Sequence, residues 1–586
     1  MSRFLNLALF FVVCVFINPT IAEENLDRGM VAVQRPDGSV FVSWRSLEGD
    51  NADQKFQLIR LNHPTQSNGD TVELKNDGQT TCAIDKNSNG EYATYLLFKK
   101  DVRGKVIGST EVKFHSNPKP YISIPLQGDY DFQKVGVGDL NGDGSLEFLI
   151  KQPNFNTDPY QQPGYWKPSP TTYKLEAYTL NGTMLWRYDM GWAIEAGIWY
   201  SPWVVYDIDG DGKAEVYCKA GLGDPRDEKG LVKDGPEYLV KLDGATGKTL
   251  RTIDWLPREG YVDYNRSCRN FLTVAYLDGV SPSLIMQRGT YKLIRTQALN
   301  KMLEREWLWE ATKDMPQYQG SGAHGIVTAD IDNDGKDELV IGSSAIDDNG
   351  KELWALGMGL PGMVDLADFA SDDPSSGRAL REKGMGHPDM IYVADIDPNN
   401  PGLEIYYGFE TRHDTDGICV VDAKSGKKLW AHKQPTKHIH GQGMVGDILA
   451  EYPGMETYSG ERDFEQRWLY SASGELIDVV KGGSLNPRAL WWDDDPQKEV
   501  IKKRAIQDWD SDETLQEIEG RLIAVMDCLG DHREEVITAL NGELRIYTTT
   551  IETDEVRTCL LQDRQYRLGV AAQTMGYYYP AQLGLE

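Results

Sequence analysis

Four short turns in this chain carry carboxylates at alternate positions, the arrangement a hard cation needs. Asp330-Ile-Asp-Asn-Asp-Gly-Lys-Asp-Glu338 sets acids at Asp330, Asp332 and Asp334, then Gly335, then a closing Glu338. Alternation on a tight loop aims the oxygens at one point. A cation that takes about six to eight oxygen ligands, calcium first among them, suits such a loop. The closing acid comes too early for an EF-hand, and the β-branched run Leu339-Val-Ile341 follows where a helix would be required, so the loop is expected to feed a strand. The pattern recurs at Asp139, Asn141, Asp143 and Glu147, at Asp207, Asp209, Asp211 and Glu215, and at Asp395, Asp397 and Glu404. Weaker echoes stand at Tyr276-Leu-Asp278, at Asp447 with Glu456, and at Asp527 with Asp531 and Glu534. A single acidic turn is ordinary solvated surface; four with one internal spacing point to bound Ca2+.

The elements between these loops are short strands. Leu175 to Trp186 reads as strand, Asn-Gly turn, strand, and the design returns at Leu239–Leu250, Ile418–Trp430 and Trp468–Leu476. Successive acidic loops lie roughly 50–70 residues apart, the scale of one propeller blade with long connections. Residues 119–586 are therefore expected to form an all-β, eight-bladed β-propeller, with a long surface insertion from Gly357 to Gly386. Ahead of it, residues 23–118 hold alternating runs such as Val31–Gln34, Val40–Trp44, Phe56–Arg60 and Tyr92–Leu97, which suggest a small fibronectin-type β-sandwich.

Residues 1–22 carry Arg3, an apolar run to Ile17 and the ending Thr20-Ile-Ala22, the make-up of a secretory signal peptide. Export to the extracellular space or periplasm is expected, without membrane insertion. Beyond Cys14 six cysteines remain, scattered and without metal-type spacing; disulfides and buried thiols are both open. The formal charge of −29 excludes nucleic-acid binding through phosphates. It also poses a puzzle for an acidic substrate, which bound calcium would ease. A monomer is expected.

Ala275-Tyr-Leu-Asp-Gly-Val-Ser-Pro-Ser-Leu-Ile-Met286 with Arg288-Gly289, the loops at 207–215 and 395–404, and the tail segments Leu529–Val536, Arg545–Thr550 and Tyr566–Val570 together resemble the rhamnogalacturonan lyases of polysaccharide lyase family 11. The resemblance is collinear from about Gly29 to the C-terminus. It implies β-eliminative cleavage of the acidic pectin backbone rhamnogalacturonan, and several calcium ions. It further implies a cleft cation site at His324, His387, Asp389 and Glu410. By ligand chemistry alone, two histidines in that set favour zinc or a transition metal over calcium. Arg288, Trp199 and Tyr291 are the residues expected to hold substrate.

Elimination takes the C5 proton of a galacturonate, α to a carboxylate that resists further negative charge. A bound cation stabilises the enolate-like state, and a basic side chain accepts the proton. Here the sequence departs from the family, whose arginine position in a Gly-Arg-Gly turn is Gln442 and whose lysine before the Leu-Gly-Asp motif has no counterpart. Trp192, Trp199, Pro202, Tyr578, Tyr579 and Gln582 replace expected polar residues. Lys437, His440 and Arg521, with His438, are the substitutes the sequence offers as catalytic groups. Two other readings stand beside a lyase: a glycan-binding propeller that no longer cuts, and an integrin-like calcium propeller that binds a protein.

Overall fold

Short runs of alternating or wholly apolar residues, parted by glycine and aspartate turns, become strands throughout the chain. The computed structural model describes residues 25–585 except 51–53, 62–70, 89–91, 116–118, 158–166, 262–263, 292, 313, 319, 357–384, 411, 463, 512 and 578. The expected signal segment, nearly all of the expected insertion and Tyr578 lie outside the described residues.

Two antiparallel sheets come first. One holds Val31–Gln34, Val40–Ser43 and Cys82–Asp85; the other runs in the order Thr71–Gly78, Lys55–Leu61, Tyr92–Lys100, Val106–His115. Val40, Val42 and Trp44 from the first sheet meet Phe56, Leu58, Tyr95 and Leu97 from the second in one buried core. Within it Asp85 is satisfied by Arg60 at 2.6 and 2.8 Å and by the Tyr95 hydroxyl at 3.0 Å, as a buried charge must be.

Eight four-stranded antiparallel sheets follow. Seven use four consecutive strands, and their first strands are Lys134–Gly138, Trp203–Tyr206, Asn270–Ala275, Val327–Ala329, Pro388–Ala394, Met444–Gly446 and Arg488–Leu490. The eighth is built from Arg521–Met526, Glu535–Leu540 and Glu543–Tyr547, and Ile122–Pro125 completes it from the start of the series. First strands touch from the first sheet through the fifth and between the sixth and seventh, and that of the eighth touches that of the first.

Neighbouring sheets are clasped at their outer strands. Trp186, Trp307, Trp354 and Trp430 each donate an indole N–H to a carbonyl of the next sheet, at Gly244, Asp348, Ala423 and Ala472, over 2.6–3.0 Å. Each ring lies on a glycine of that sheet's last turn: a Cβ on Gly247, Gly350, Gly426 or Gly474 would meet the indole at 2.4–2.7 Å. The hairpin glycines seen in the sequence thus serve packing as well as the turn.

One element departs from the strand-and-turn reading of the tail. Arg564–Ala572 is a helix, N-capped by Asp563, whose carboxylate accepts from the Tyr566 N–H at 2.8 Å. It packs on the first strands of the first four sheets. The chain then passes Met575 and Tyr577 toward one end of the sheets. All six described cysteines are buried free thiols, which settles the open choice against disulfides. No helix among the described residues is long and apolar enough to cross a membrane.

Candidate functional site

Because the consecutive strands of the eight later sheets run as antiparallel meanders, the lead-ins to their first strands share one end and the first-to-second loops the other. The acidic loops occupy the second end. Seven of the eight second strands open on a glutamate: Glu147, Glu215, Glu338, Glu404, Glu456, Glu499 and Glu535. In all but Glu215 the carboxylate accepts a backbone N–H from the start of its own loop, for example Ile331 to Glu338 at 2.9 Å and Ile396 to Glu404 at 2.7 Å. The leading aspartate is gripped likewise: Asp139 accepts from Gly142 and Gly144, both at 2.7 Å, and Asp330 from Asp334 and Gly335.

These loops fit a cation. Glu338 and Glu456 are wholly buried, yet one oxygen of each has no hydrogen-bond partner. Burial pushes Glu338 up to about 9, Glu215 and Glu499 to about 8, and Glu147 and Glu456 to about 7. Asp207, Asp209 and Glu215 converge, as do Asp330, Asp332 and Glu338. At the second loop the Lys241 ammonium already sits between Asp209 and Glu215, at 2.6 and 2.7 Å. The sequence reading missed Asp493, Asp495 and Glu499, which also converge. It also misplaced the last closing acid, which is Glu535, not Glu534; Glu535 accepts from Cys528 and Leu529 at 2.9 and 2.8 Å. The third loop has Ser283 where the others have glutamate.

The His324/His387/Asp389/Glu410 set lies at the opposite end. His324 leads into the fourth sheet, His387 and Asp389 open the fifth, and Glu410 follows that sheet's second strand, Glu404–Phe409. Their ligand atoms lie within 4.8 Å of one another. His324 Nε2 is 2.8 Å from Asp389 Oδ1 and 3.3 Å from His387 Nε2. Arg269, a donor only, stands 3.0 Å from His324 Nδ1, so the His324 proton is on Nε2 and is given to Asp389. His438 and His440, from the lead-in to the sixth sheet, close the other side: His440 Nδ1 is 2.7 Å from Asp389 Oδ2 and 3.2 Å from His438 Nε2. The Gly441 N–H adds a bond to Asp389 Oδ2 at 3.3 Å.

Burial and charge set these groups apart from ordinary ones. Burial, reinforced by the neighbouring His324 and Arg269, drives His387 well below the usual imidazole range. Burial opposes ionisation of Asp389, but hydrogen bonds from His324 and His440 prevail and hold it well below the usual carboxylate range. Burial and the Asp389 charge raise Glu410 to about 7. A donor set of imidazole nitrogens and carboxylates fits a divalent cation, and its nitrogen share exceeds what calcium prefers.

Aromatic residues hold the cluster. Tyr291, with φ +66°, stacks on His387 at 4.6 Å and donates to Glu410 Oε1 at 3.0 Å. Tyr577 and Trp199 flank His324 at 4.4 and 5.1 Å, and the Tyr579 hydroxyl donates to the Asp389 carbonyl at 2.7 Å. A Cβ on Gly576 would meet the His324 carbonyl at 1.8 Å, so the tail lies directly against the cluster. Trp199 is packed beneath it, 8% exposed, with the Arg269 guanidinium on its ring. Arg288 is fully buried, paired with Glu237 and donating to the Ser267 carbonyl, away from the cluster.

Of the catalytic candidates, His440 is inside the cluster. Lys437 is exposed on the same segment, its ammonium 4.9 Å from the centre of the Phe464 ring. Arg521 belongs to the eighth sheet and is spent on Asp131 and the Phe132 carbonyl. Gln442 is anchored by its backbone, its N–H donating to Asn486 at 2.7 Å and its carbonyl accepting from Tyr392 at 2.8 Å. The sequence reading missed Arg269 and Arg266, whose guanidinium lies 5.7 Å from the Tyr291 ring. Nothing in their spacing marked them, because the short helix Tyr264–Cys268 brings them in.

The comparisons with known proteins agree in length and fold. The profile of the rhamnogalacturonan lyase family 11 C-terminal domain matches residues 111–376 and 372–585, and that of the rhamnogalacturonan I lyase beta-sheet domain matches residues 21–99. Rhamnogalacturonan endolyase YesW of Bacillus subtilis (strain 168) is 34% identical over 95% of this chain and 90% of its own. Rhamnogalacturonan exolyase YesX of the same organism is 30% identical over 95% of this chain and 94% of its own. The crystal structures of YesW and YesX superpose with TM-scores of 0.80 and 0.81, each over 96% of both chains. The chain therefore belongs to rhamnogalacturonan lyase family 11, and it is a polysaccharide lyase.

Proposed function

We propose that the chain is a secreted lyase that cuts rhamnogalacturonan-type pectin by β-elimination at a galacturonate, and that the His324/His387/Asp389/Glu410 cluster is where it does so. The observation that carries this is the company of that cluster: four histidines and two arginines gathered around two carboxylates at one end of an otherwise acidic protein. The carboxylates of the acidic loops lie at the far end and do not face the substrate there. On this reading the acidic loops bind Ca2+ and tie first strands to second strands. Residues 23–118 form a fibronectin-type sandwich, residues 119–586 an eight-bladed propeller acting as a monomer, and residues 1–22 direct export.

A divalent cation held by Asp389, Glu410 and the histidines would neutralise the galacturonate carboxylate and lower the cost of the enolate-like state. The chain's own residues do the rest. Arg269 fixes the His324 tautomer, Tyr291 fixes Glu410, and Tyr577 and Tyr579 hold the walls. Lys437 is the nominee to accept the C5 proton, since Arg521 is tied elsewhere and His440 faces Asp389. The test is growth of the ultraviolet absorbance of an unsaturated uronate when protein, rhamnogalacturonan and calcium are mixed. Loss of that signal in Asp389→Asn with unchanged melting supports the site; a full signal from that variant refutes it.

A further inference from the structure

Asp389 is shared by two groups of ligands, and its two oxygens face different partners. Oδ1 faces His324, with His387 behind. That side already holds a proton, placed on His324 Nε2 by the Arg269 guanidinium, and a cation there must displace it and the arginine.

Oδ2 faces His440 Nδ1 at 2.7 Å, and His438 Nε2 lies 3.2 Å from the same nitrogen, 4.0 Å from Oδ2 and 3.7 Å from Glu410 Oε2. Two imidazole nitrogens and the Asp389 Oδ2 oxygen thus converge, with Glu410 Oε2 on the far side of His438. Ligands about 2.1 Å from a metal and at right angles to each other lie roughly 3 Å apart, which these separations approach, whereas calcium's longer bonds require more. The His438 and His440 side chains are 24% and 31% exposed, so an ion has a way in, while Asp389 is fully buried and fixed from behind. Both histidines ride on one strand-like segment, His438–His440, with Ile439 between them wholly buried and its N–H bonded to the Phe409 carbonyl at 3.0 Å. The segment is pinned further at its start, where the Lys437 and His438 N–H groups donate to Glu461 at 2.6 and 2.9 Å.

We propose that His438 and His440, with Asp389 Oδ2, form a three-ligand site for a transition-metal dication such as zinc or cobalt, with its remaining positions open to water. The site is separate from the His324/His387 side and from the oxygen-only loops. Imidazole raises affinity for such ions far more than for calcium, so the site discriminates by ligand type even in a calcium-rich exterior. The inference concerns the cleft of the proposed lyase but does not depend on activity, because its test reads bound metal.

The test uses the whole protein, stripped with a chelating resin, refilled with excess calcium and then titrated with Co2+. One equivalent of Co2+ is expected to bind and to survive the calcium excess, with visible ligand-field absorption marking nitrogen ligands. His438→Ala and His440→Ala are each expected to weaken Co2+ binding at least tenfold. Calcium content and melting in excess calcium should stay as in the parent. His324→Ala is expected to keep the Co2+, and anomalous scattering from crystals should place the ion beside Asp389 Oδ2. Should a histidine variant fail to fold, that map of the parent protein decides alone. The proposal is overturned if calcium expels all Co2+, if His438→Ala and His440→Ala bind it undiminished, or if the ion sits between His324 and His387. None of these results depends on whether rhamnogalacturonan is cut, so failure of this site and failure of the lyase reading are told apart.

Discussion

The Tyr291 hydroxyl donates to Glu410 Oε1 across 3.0 Å, from a residue held at φ +66°. A bulky residue in that left-handed region is strained, and it persists because its ring is stacked on His387 while its oxygen is bound to the carboxylate. From the residues alone, Tyr291 reads only as a substrate contact.

Tyr291→Phe keeps the stack and removes the donor. A hydrogen bond to a charged group is worth about 1.5–3 kcal/mol, so kcat/KM should fall roughly 10- to 100-fold. Tyr291→Ala, which also loses the stack, should fall further. Equal rates for Tyr291→Phe and the parent, in protein of unchanged melting temperature, would show that Glu410 needs no such anchor.

The glutamates that open the second strands predict how stability answers to pH and to calcium. Burial raises their pKa values in the folded chain above the ordinary carboxylate range, to about 7 for Glu147 and Glu456 and about 9 for Glu338. A raised value means that the folded state holds protons the unfolded state has released. That contribution is complete below the unfolded value, about 4.3, and is lost as pH rises through the folded values. Chelator-treated protein should therefore melt lower at about pH 9 than at about pH 6, once each is compared with its calcium-loaded form. Calcium should restore most where the carboxylates are ionised. A melting difference between loaded and stripped protein that stays flat over this range would count against cation binding by these acids.

Much of the scaffold was legible because its signals are local. Asp207 to Glu215 announces a turn and the start of a strand within nine residues, and the Ile418–Trp430 hairpin announces two strands and their turn. The cleft was legible only through resemblance. Its members come from the lead-ins to four different sheets, from the turns after two second strands, which carry Tyr291 and Glu410, and from the tail, and no spacing links Arg269, His324, Asp389 and His440. The helix Arg564–Ala572 was hidden by Gly569, a poor helix former, which is there because a Cβ would meet Ala581 at 2.9 Å. Asp495 and Glu499 escaped notice because Pro496 and Gln497 stand where the loops at 139–147, 207–215 and 330–338 carry glycine and a serine or lysine.

The tryptophan clasps make a stability prediction that leaves the chemistry alone. Gly426 has φ +66°, and a methyl group there would press on the Trp354 ring at 2.7 Å. Gly426→Ala combines left-handed strain with overpacking and should cost about 2–3 kcal/mol. The turn lies at the end of the sheets opposite the cluster, so the rate per folded molecule should not change. Thermal melting and active-site titration separate the two quantities; a normal melting temperature would mean that neighbouring sheets can part at this edge without penalty.

Lys437 and Arg521 entered on equal terms as basic side chains, and the structure separates them. Arg521 spans from the eighth sheet to Asp131 of the first, a half-exposed pair worth no more than about 1 kcal/mol. Arg521→Ala should lower stability slightly and leave turnover intact. Lys437 stands next to His438 in the chain, with its ammonium over the Phe464 ring. If it takes the C5 proton, Lys437→Ala should lower kcat by about 10²- to 10⁴-fold with little change in KM, the range for losing a general base. Lys437→Arg should recover part of the loss, since it restores a basic side chain at that position. Loss through KM alone would instead mark Lys437 as a binding group for a substrate carboxylate, and the proton would then have to leave through another side chain of the cleft.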